Sequence, residues 1–223
     1  MEDKKMKPIL FNTAMVKAIL EGEKTCTRRV IKIPKYIEKQ ENGLYTLLAE
    51  DSAYIDKEFR DIVSYIKTPY KVGDILYVRE TWFEGYILDS NEDIVERNIV
   101  LYRTDDLSKH GIEEIKWSPS IHMPKRLARI FLEVTDVKVE RLQDITEDGA
   151  KAEGIREYTK DGNLFKYAVN AYQYKWSQMP RNPIEPFKSL WDSTVNKKDI
   201  DKYDWDSNPW IWVIEFKVKE VKR

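Results

Sequence analysis

Hydrophobic and polar residues repeat along the chain with two different periods, which predict a strand-rich protein with a few short helices. Residues 7–33, KPILFNTAMVKAILEGEKTCTRRVIKI, are predicted to form a strand, a helix and a second strand. The helix is expected to begin at Asn12 or Thr13, whose side chains can accept hydrogen bonds from its first turn. Gly22 predicts a turn after this helix, and the second strand is expected from Thr25.

The middle and the end of the chain carry the alternation that is typical of strands. The segments YKVGDILYVRETWF at 70–83 and NIVLYRT at 98–104 are expected to pair as a hairpin. The segment ARIFLEVTDVKVERL at 128–142 predicts one long bent strand or two paired strands. The apolar run in PWIWVIEFKVKEV at 209–221 predicts a closing strand.

Two further helices are predicted in the second half of the chain. The segment DITEDGAKAEGI at 144–155 has Thr146 to cap a helix and Gly154 to end it. The segment IEPFKSLWDST at 184–194 places its apolar residues on one side of a helix.

Strands outnumber helices and no βαβ unit repeats, so we expect the α+β class. The expected architecture is a small mixed or antiparallel β-barrel with short flanking helices. The sequence has no internal repeat, no linker and no break in composition, so residues 1–223 are expected to form a single domain. Insertions are expected at about 36–70, with a helix at about 55–66, and at about 156–183.

The charge balance argues against a protein that attracts polyanions over its whole surface. The 223 residues include 38 Lys and Arg and 39 Asp and Glu, so the formal net charge is -1. A local excess of positive charge occurs between Lys17 and Lys35, where basic residues outnumber acidic ones. A nucleic-acid role would therefore depend on this segment rather than on the field of the whole molecule.

The residue counts disfavour metal and membrane roles. Cys26 is the only cysteine, and the two histidines, His110 and His122, lie in no metal-binding spacing. We therefore expect no metal, no cofactor and no disulfide. No apolar stretch is long enough for a signal peptide or a membrane span, so we expect a cytoplasmic protein without a membrane partner.

Six motifs in a fixed order give the chain a resemblance to a known family. They are ILEGEKTCTRR, YKVGDILYVRETW, WSPSIHMPKRLARI, DITEDGAKAEGI, FKSLWDS and NPWIWVIEFK. Together they resemble an ASCH domain of the PUA-like superfamily, in the elongated form common in phage and prophage genomes. The resemblance spans roughly residues 7–217 and implies a PUA-like β-barrel in a bacterial or phage-infected bacterial cell.

The resemblance also implies a chemistry. The cleft of such barrels handles a nucleobase, a nucleoside or RNA, and small bacterial ASCH proteins include amidohydrolases that remove the acetyl group from N4-acetylcytidine. Their working lysine and threonine, in a G-x-K-T-x-T turn, correspond to Lys24 and Thr27, and their glutamate corresponds to Glu153. This chain is considerably longer than those enzymes and has Arg28 where they tend to be apolar.

Amide hydrolysis without a metal needs a nucleophile and a base. The Thr27 hydroxyl is inert at neutral pH unless another group takes its proton, and Lys24 can do so only if its pKa is lowered by burial or a neighbouring cation. Glu153 would then protonate the leaving amine or hold the pyrimidine edge. Positions 24 and 27 point to opposite faces of a regular strand, so their convergence requires Lys24 to belong to the turn or the strand to bulge.

Four residues are candidates for binding the ligand directly. Arg28 and Arg29 are expected to contact phosphate. Glu80 and Trp82, two residues apart in RETW, would project from one strand face to accept from an exocyclic amine and to stack on a base. The alternative interpretation places Trp82 in the core and pairs Glu80 with a cation.

The proline-rich segment SPSIHMPKR at 118–126 supplies two more candidates. Prolines restrict the backbone, so this segment is expected to present Ser120 and His122 rigidly to the cleft. A Ser-His hydrolase is disfavoured, since neither a third member nor an oxyanion motif accompanies them.

Three functions are compatible with these residues. The first is a PUA-like module that binds RNA or a modified nucleobase or nucleoside through the GEKTCTRR turn. The second is a metal-independent amidohydrolase that acts on N4-acylated cytidine-type nucleosides through Lys24, Thr27 and Glu153. The third is a phage accessory protein that binds another protein through its aromatic C-terminal half.

Overall fold

The computed structural model describes residues 6–32, 37–39, 45–47, 55–57, 66, 68–88, 94–107, 115–170 and 174–222. The strands are β1 (Lys7–Leu10), β2 (Cys26–Val30), β3 (Ile37–Lys39), β4 (Tyr45–Leu47), β5 (Ile55–Lys57), β6 (Ile75–Arg79), β7 (Trp82–Leu88), β8 (Ile94–Tyr102), β9 (Ile130–Arg141), β10 (Arg156–Thr159), β11 (Phe165–Ala168) and β12 (Trp210–Val221). The α-helices are α1 (Thr13–Leu20), α2 (Glu147–Ala152), α3 (Ile184–Thr194) and α4 (Ile200–Tyr203). Short 3-10 turns cover Ser120–His122, Lys125–Leu127, Leu142–Asp144, Trp176–Gln178 and Lys197–Asp199.

A mixed five-stranded sheet, in the order β1-β6-β9-β12-β2, forms the centre of the fold. β1 and β6 are parallel, and the other neighbouring strands are antiparallel. β1 and β2 are the edge strands, and within the described residues no ladder between them closes the sheet into a barrel. A side chain spans the gap instead: Arg29 on β2 donates from Nη2 to the backbone oxygen of Leu10, at the end of β1, over 2.8 Å.

Both faces of the central sheet are covered, which explains the unbroken apolar run of β12. Ile214 of β12 belongs to a core cluster that includes Ile19 of α1. Its neighbour Val213 belongs to a second cluster, with Ala150 of α2 and Phe187 of α3. Successive side chains of a strand point to opposite faces, so a strand between two helical layers is apolar throughout.

The predicted α+β class is confirmed, and so are the helices expected within 144–155 and 184–194. The Thr146 hydroxyl caps α2 by accepting from the backbone N–H of Gly149, over 3.0 Å. Gly154, with φ of 97°, reverses the chain just after the helix, in a conformation that favours glycine. The alternation at 128–142 forms one long strand, β9.

The predicted hairpin is confirmed in part, and one predicted helix is wrong. Trp82 and Phe83, at the end of the 70–83 segment, lie in β7 and pair with Tyr102 and Leu101 of the 98–104 segment in β8, whereas β6 lies between β1 and β9. β3 to β5 form one small sheet and β10 with β11 another, in the two regions expected as insertions. The helix expected at about 55–66 is wrong at Ile55–Lys57, which is β5 and pairs with β4, whereas residues 58–65 lie outside the described residues. Pairing with a neighbouring strand overrides a weak local preference for helix.

None of the helices in the described part of the chain combines the length and the apolar character needed to cross a membrane.

A buried ion pair fixes the connection between β6 and β7. Glu80 is 1% exposed, and its carboxylate accepts hydrogen bonds from Nε and Nη2 of Arg129, both over 3.0 Å. Arg129 also donates to Asp105 Oδ1 over 2.7 Å. The expected placement of Glu80 and Trp82 on one strand is wrong, because β6 ends at Arg79 and β7 begins at Trp82.

Removal of the Glu80 carboxylate should destabilise the fold strongly. Glu80→Ala leaves Arg129 with Asp105 as its remaining carboxylate partner in a largely buried position, so we expect the free energy of unfolding to fall by about 3 kcal/mol. Urea unfolding followed by tryptophan fluorescence measures this change.

Glu84→Ala is the matched control, because Glu84 also pairs with an arginine, Arg126, but does so at the surface. We expect a much smaller loss from this variant, since water and salt screen an exposed pair. Equal losses from the two variants would contradict a stabilising role for the buried pair.

Candidate functional site

A pocket of about 260 Å³ lies where the end of β1 approaches β2. Much of its wall is apolar and includes Phe11, Phe187 and Trp191. Its remaining wall brings together six of the candidate residues, namely Lys24, Thr27, Arg28, Arg29, Ser120 and Glu153. The gap between the two edge strands therefore contains most of the chemistry that the sequence indicated.

Lys24 is 2% exposed, and its ammonium is fully hydrogen-bonded. Its Nζ donates to Glu153 Oε2 over 2.5 Å, to the backbone oxygen of Glu153 over 3.0 Å and to the backbone oxygen of Cys26 over 2.7 Å. Burial lowers the pKa of Lys24 from its ordinary value, and the Glu153 carboxylate opposes this shift. The pair therefore joins a desolvated amine directly to a carboxylate through a hydrogen bond.

Backbone contacts place Lys24 and Glu153 side by side. Lys24 precedes β2, and its N–H donates to the backbone oxygen of Ala18 in α1 over 3.1 Å. The next N–H, of Thr25, donates to the backbone oxygen of Ala152 at the end of α2 over 2.9 Å, and Lys24 and Glu153 form an isolated β-bridge. The turn after α1 is thus tied to the end of α2, although they are far apart in sequence.

The position of Lys24 before β2 also explains how it shares a pocket with Thr27. The two-residue alternation of β2 begins at Cys26, so it does not fix the direction of the Lys24 side chain. Thr27 is 3% exposed and lines the pocket, and its hydroxyl has no hydrogen-bond partner among the described residues. A pocket hydroxyl that no other described side chain engages is available to a ligand.

Arg28 holds the other oxygen of the same carboxylate. Its Nη1 lies 3.3 Å from Glu153 Oε1 and also donates to the backbone oxygen of Gly149 over 3.3 Å. Its Nη2 lies 3.7 Å from Glu140 Oε2, and its guanidinium lies 5.8 Å from the centre of the Phe187 ring. Arg28 is therefore committed mainly to positioning Glu153, whereas the sequence predicted that it contacts phosphate.

Gly149 makes room for this arginine. A Cβ atom at Gly149 would lie 2.9 Å from Nη2 of Arg28, which is closer than side chains pack. Sequence reasoning missed this role, although a glycine inside a predicted helix is a signal of close packing, because glycine is unfavourable there.

Arg29 bridges the edge strands and faces the pocket. Besides its hydrogen bond to Leu10, its guanidinium lies 5.4 Å from the centre of the Phe11 ring. Burial lowers the pKa of Arg29 from its ordinary value, and Glu153 and Tyr70 oppose this shift. In the described part of the chain it forms no ion pair.

Cys26 lies next to these groups but is not a candidate nucleophile. Its thiol is buried, and burial raises its pKa to about 12. A thiol with such a pKa stays protonated and unreactive near neutral pH.

The 118–126 segment contributes only one of its two candidates to the pocket. Ser120 lines it, together with the exposed Ile121. His122 is exposed and is not among the lining residues. Arg79, which the sequence did not single out, fixes this segment by donating to the backbone oxygens of Ile121 and Met123.

Glu80 and Trp82 lie outside the pocket. Glu80 is engaged with Arg129, and Trp82 packs against a separate cluster that includes Met123 and Phe131. Their surroundings match the alternative interpretation from the sequence, in which the tryptophan packs in the core and the glutamate pairs with a cation.

No group of His, Cys, Asp and Glu side chains suited to a metal ion occurs in the residues that the structure describes.

Comparisons with known proteins give one weak structural similarity. No family model matches the chain, and no curated protein matches it. A crystal structure of an ASCH domain from Lactobacillus crispatus aligns with 92% of this chain and 70% of that chain, at 11% sequence identity and a TM-score of 0.31. The resemblance to ASCH domains therefore depends on the six sequence motifs.

Gly149→Ala should not give the stabilisation that alanine usually provides inside a helix. That gain is about 1 kcal/mol, but here the new Cβ would push Arg28 away from Glu153. We expect the free energy of unfolding, measured in urea, to stay unchanged or fall. In an Arg28→Ala background the same substitution should be more favourable than in the wild type, because the 2.9 Å contact is gone and only the 3.2 Å contacts with Ile145 and Thr146 remain. Equal effects in the two backgrounds would contradict the proposed contact.

The lowered pKa of Lys24 predicts a pH dependence of stability. Below the folded-state pKa of Lys24 the folded protein carries a buried ammonium, which is unfavourable because it is desolvated. The cost of burying this charge disappears as the pH rises towards the ordinary pKa of 10.5. Over this interval the unfolded chain binds more protons than the folded chain, so the free energy of unfolding should rise with pH. The free energy of unfolding of the wild type should therefore rise relative to that of Lys24→Met as the pH increases from the folded-state pKa of Lys24 to about 10.5.

Urea unfolding at a series of pH values measures this difference, and the groups that do not contact Lys24 cancel because both proteins contain them. Thr27→Val, which changes the same pocket without removing an ionisable group, should keep the wild-type slope. A wild-type slope in Lys24→Met would exclude the lowered pKa.

Proposed function

We propose that the pocket is the active site of a metal-independent amidohydrolase of the ASCH type, which acts on N4-acylated cytidine or a related modified nucleoside. The observation that carries the proposal is the convergence of Lys24, Thr27 and Glu153 in one pocket. A lysine with a lowered pKa that meets a hydroxyl and a carboxylate in a concave pocket is typical of an active site.

Thr27 is the nucleophile in this proposal. A proton shifts from Lys24 to Glu153 within their hydrogen bond, and the neutral amine of Lys24 then takes the proton of the Thr27 hydroxyl. Thr27 Oγ1 attacks the acyl carbon and forms a tetrahedral intermediate with a negatively charged oxygen. The cationic side chains that line the pocket stabilise this negative charge.

Glu153 gives its proton to the leaving amine when the amide bond breaks. The acyl group is then esterified to Thr27, while Lys24 is an ammonium and Glu153 a carboxylate. In the second half of the reaction Glu153 takes a proton from water, which attacks the ester, and Lys24 returns its proton to Thr27. A proton then passes back from Glu153 to Lys24 along their hydrogen bond, which restores the carboxylate and the ammonium. The products are the free amine and the carboxylic acid.

The size and charge distribution of the pocket favour a small ligand over an RNA strand. A volume of about 260 Å³ suits a single base or nucleoside. Lys24 and Arg28 both pair with Glu153, so they are not free to contact a phosphate backbone. The aromatic residues on the wall provide apolar surface for a planar base.

Binding of a modified base without turnover is the second candidate function, and one observation favours it. All three protons of the Lys24 ammonium already have acceptors in the unliganded protein, which stabilises the protonated form that cannot act as a base. Hydrolysis therefore requires the proton transfer to Glu153, whereas binding does not.

An ultraviolet assay of N4-acetylcytidine deacetylation tests the proposal. We expect turnover by the wild type and a loss of at least about 100-fold in kcat/KM for Lys24→Met, Thr27→Val and Glu153→Gln, because each removes a group that transfers a proton or forms a bond. Thr27→Ser keeps a hydroxyl and should retain most of the activity.

Circular dichroism of each variant controls for loss of the fold. Turnover that survives in Thr27→Val would exclude Thr27 as the nucleophile. Saturable binding of cytidine without any turnover of acylated cytidines would replace the enzyme with the binding module.

A further inference from the structure

We infer that Arg29 binds an anionic group of the ligand, so that the pocket takes a phosphorylated nucleotide, or another acyl amide that carries a phosphate or carboxylate, in preference to an uncharged nucleoside. The nucleoside part of the ligand rests on the proposed function. The anionic group is inferred from the residues of the pocket alone.

Arg29 differs from the other cations of the pocket in its partners. Lys24 and Arg28 share the carboxylate of Glu153, over 2.5 Å and 3.3 Å. The hydrogen bond of Arg29 goes to a backbone carbonyl, that of Leu10, and no carboxylate of the described residues forms an ion pair with it. A guanidinium has five N–H donors, so most of those of Arg29 remain available to a ligand.

The charge of the pocket is not balanced. Its lining contains three cationic side chains, Lys24, Arg28 and Arg29, and one carboxylate, Glu153. The Glu140 carboxylate, which pairs with Arg28 over 3.7 Å, compensates a second cation, so one positive charge remains, that of Arg29. An uncompensated charge away from water is unfavourable, and it is normally paired in the functional state. Binding of an anion beside Arg29 would reduce this excess and strengthen the interaction through the low local dielectric.

A second, independent feature adds positive potential at the same place. α1 begins directly after Leu10 and Phe11, the residues that Arg29 contacts, and its N-cap Asn12 lines the pocket. The first turn of this eight-residue helix contains no acidic residue, and the neutral side chain of Asn12 occupies one of its N–H groups, that of Met15, over 2.9 Å. Exposed N–H groups at the start of a helix bind phosphate and carboxylate groups well.

The positions of these residues define the orientation of the ligand in the pocket. The acyl amide lies towards Lys24, Thr27 and Glu153, and the anion lies towards Arg29 and the start of α1. Thr27 and Arg29 are two residues apart in β2, so their side chains lie on the same face of the strand and can reach the same ligand. A planar guanidinium binds both oxygens of a phosphate or carboxylate, which favours these groups over a halide ion.

Isothermal titration calorimetry with cytidine and cytidine 5′-monophosphate tests the inference without requiring turnover. We expect the wild type to bind the monophosphate at least about 10-fold more tightly than cytidine, as one charge-assisted pair would provide. Arg29→Met, which keeps an unbranched side chain near Phe11, should bind the two ligands equally. Arg29→Lys should restore part of the preference.

Two controls separate this effect from a loss of the fold. Arg126→Met removes an exposed arginine that pairs with Glu84, and it should keep the full preference. In the wild type alone, added sodium chloride should weaken binding of the monophosphate much more than binding of cytidine, which tests the charge even if Arg29→Met fails to fold.

N-acetylglycine, which joins an acyl amide to a carboxylate, distinguishes the two sources of negative charge. Binding of N-acetylglycine that depends on Arg29, without a preference for the monophosphate, would identify the anion as a carboxylate. Equal affinity for both cytidine ligands together with no Arg29-dependent binding of N-acetylglycine would overturn the inference, as would a preference that survives in Arg29→Met. Turnover of N4-acetylcytidine without any preference for an anionic ligand would overturn this inference and leave the proposed function intact. A preference for the anionic ligand without turnover would support this inference and contradict the proposed hydrolysis.

Discussion

The geometry of the pocket depends on the buried ion pair between Lys24 and Glu153. This pair joins the turn after α1 to the residue that follows α2, two places separated by most of the central sheet in sequence. Both charges lie away from water, so each stabilises the other only while the surrounding backbone keeps them in contact. Arg28 fixes the second carboxylate oxygen, and Gly149 leaves the space that Arg28 needs. Several elements must therefore fold correctly before the pocket exists.

The pocket also depends on the open edge of the central sheet. β1 and β2 are its two edges, and a ladder between them would fill the space in which Lys24, Thr27 and Arg29 meet. Side chains take the place of that ladder, since Arg29 bridges to Leu10 and the Phe11 ring lies against both Lys24 and Arg29. An edge strand presents unpaired backbone groups, and here the Lys24 ammonium uses one of them, the backbone oxygen of Cys26. The open edge of the sheet, which could otherwise pair with another chain, thus provides part of a polar site surrounded by apolar side chains.

The basic segment between Lys17 and Lys35 has a different meaning in the fold from the one that its composition indicates. Three of its cations, Lys24, Arg28 and Arg29, line the pocket instead of forming a solvated patch. Its two acidic residues, Glu21 and Glu23, pair with Arg156 at the start of β10. These charges, whose composition suggested a surface for nucleic acid, therefore act at short range inside the pocket. The low dielectric there makes each interaction stronger than it would be in water.

The sequence by itself determined the class of the fold and the residue types of the site. Alternation and capping residues are local signals, so β9, β12, α2 and α3 could be located from them, and the GEKTCTRR turn drew attention to Lys24 and Thr27. Only the tertiary structure decided which cation pairs with which carboxylate. Arg28 was expected on phosphate and instead holds Glu153, and Glu80 was expected beside a base and instead pairs with Arg129. Such partners come together through strand order and helix packing across large sequence separations, and no local pattern encodes the distance between two side chains that meet only after the chain has folded.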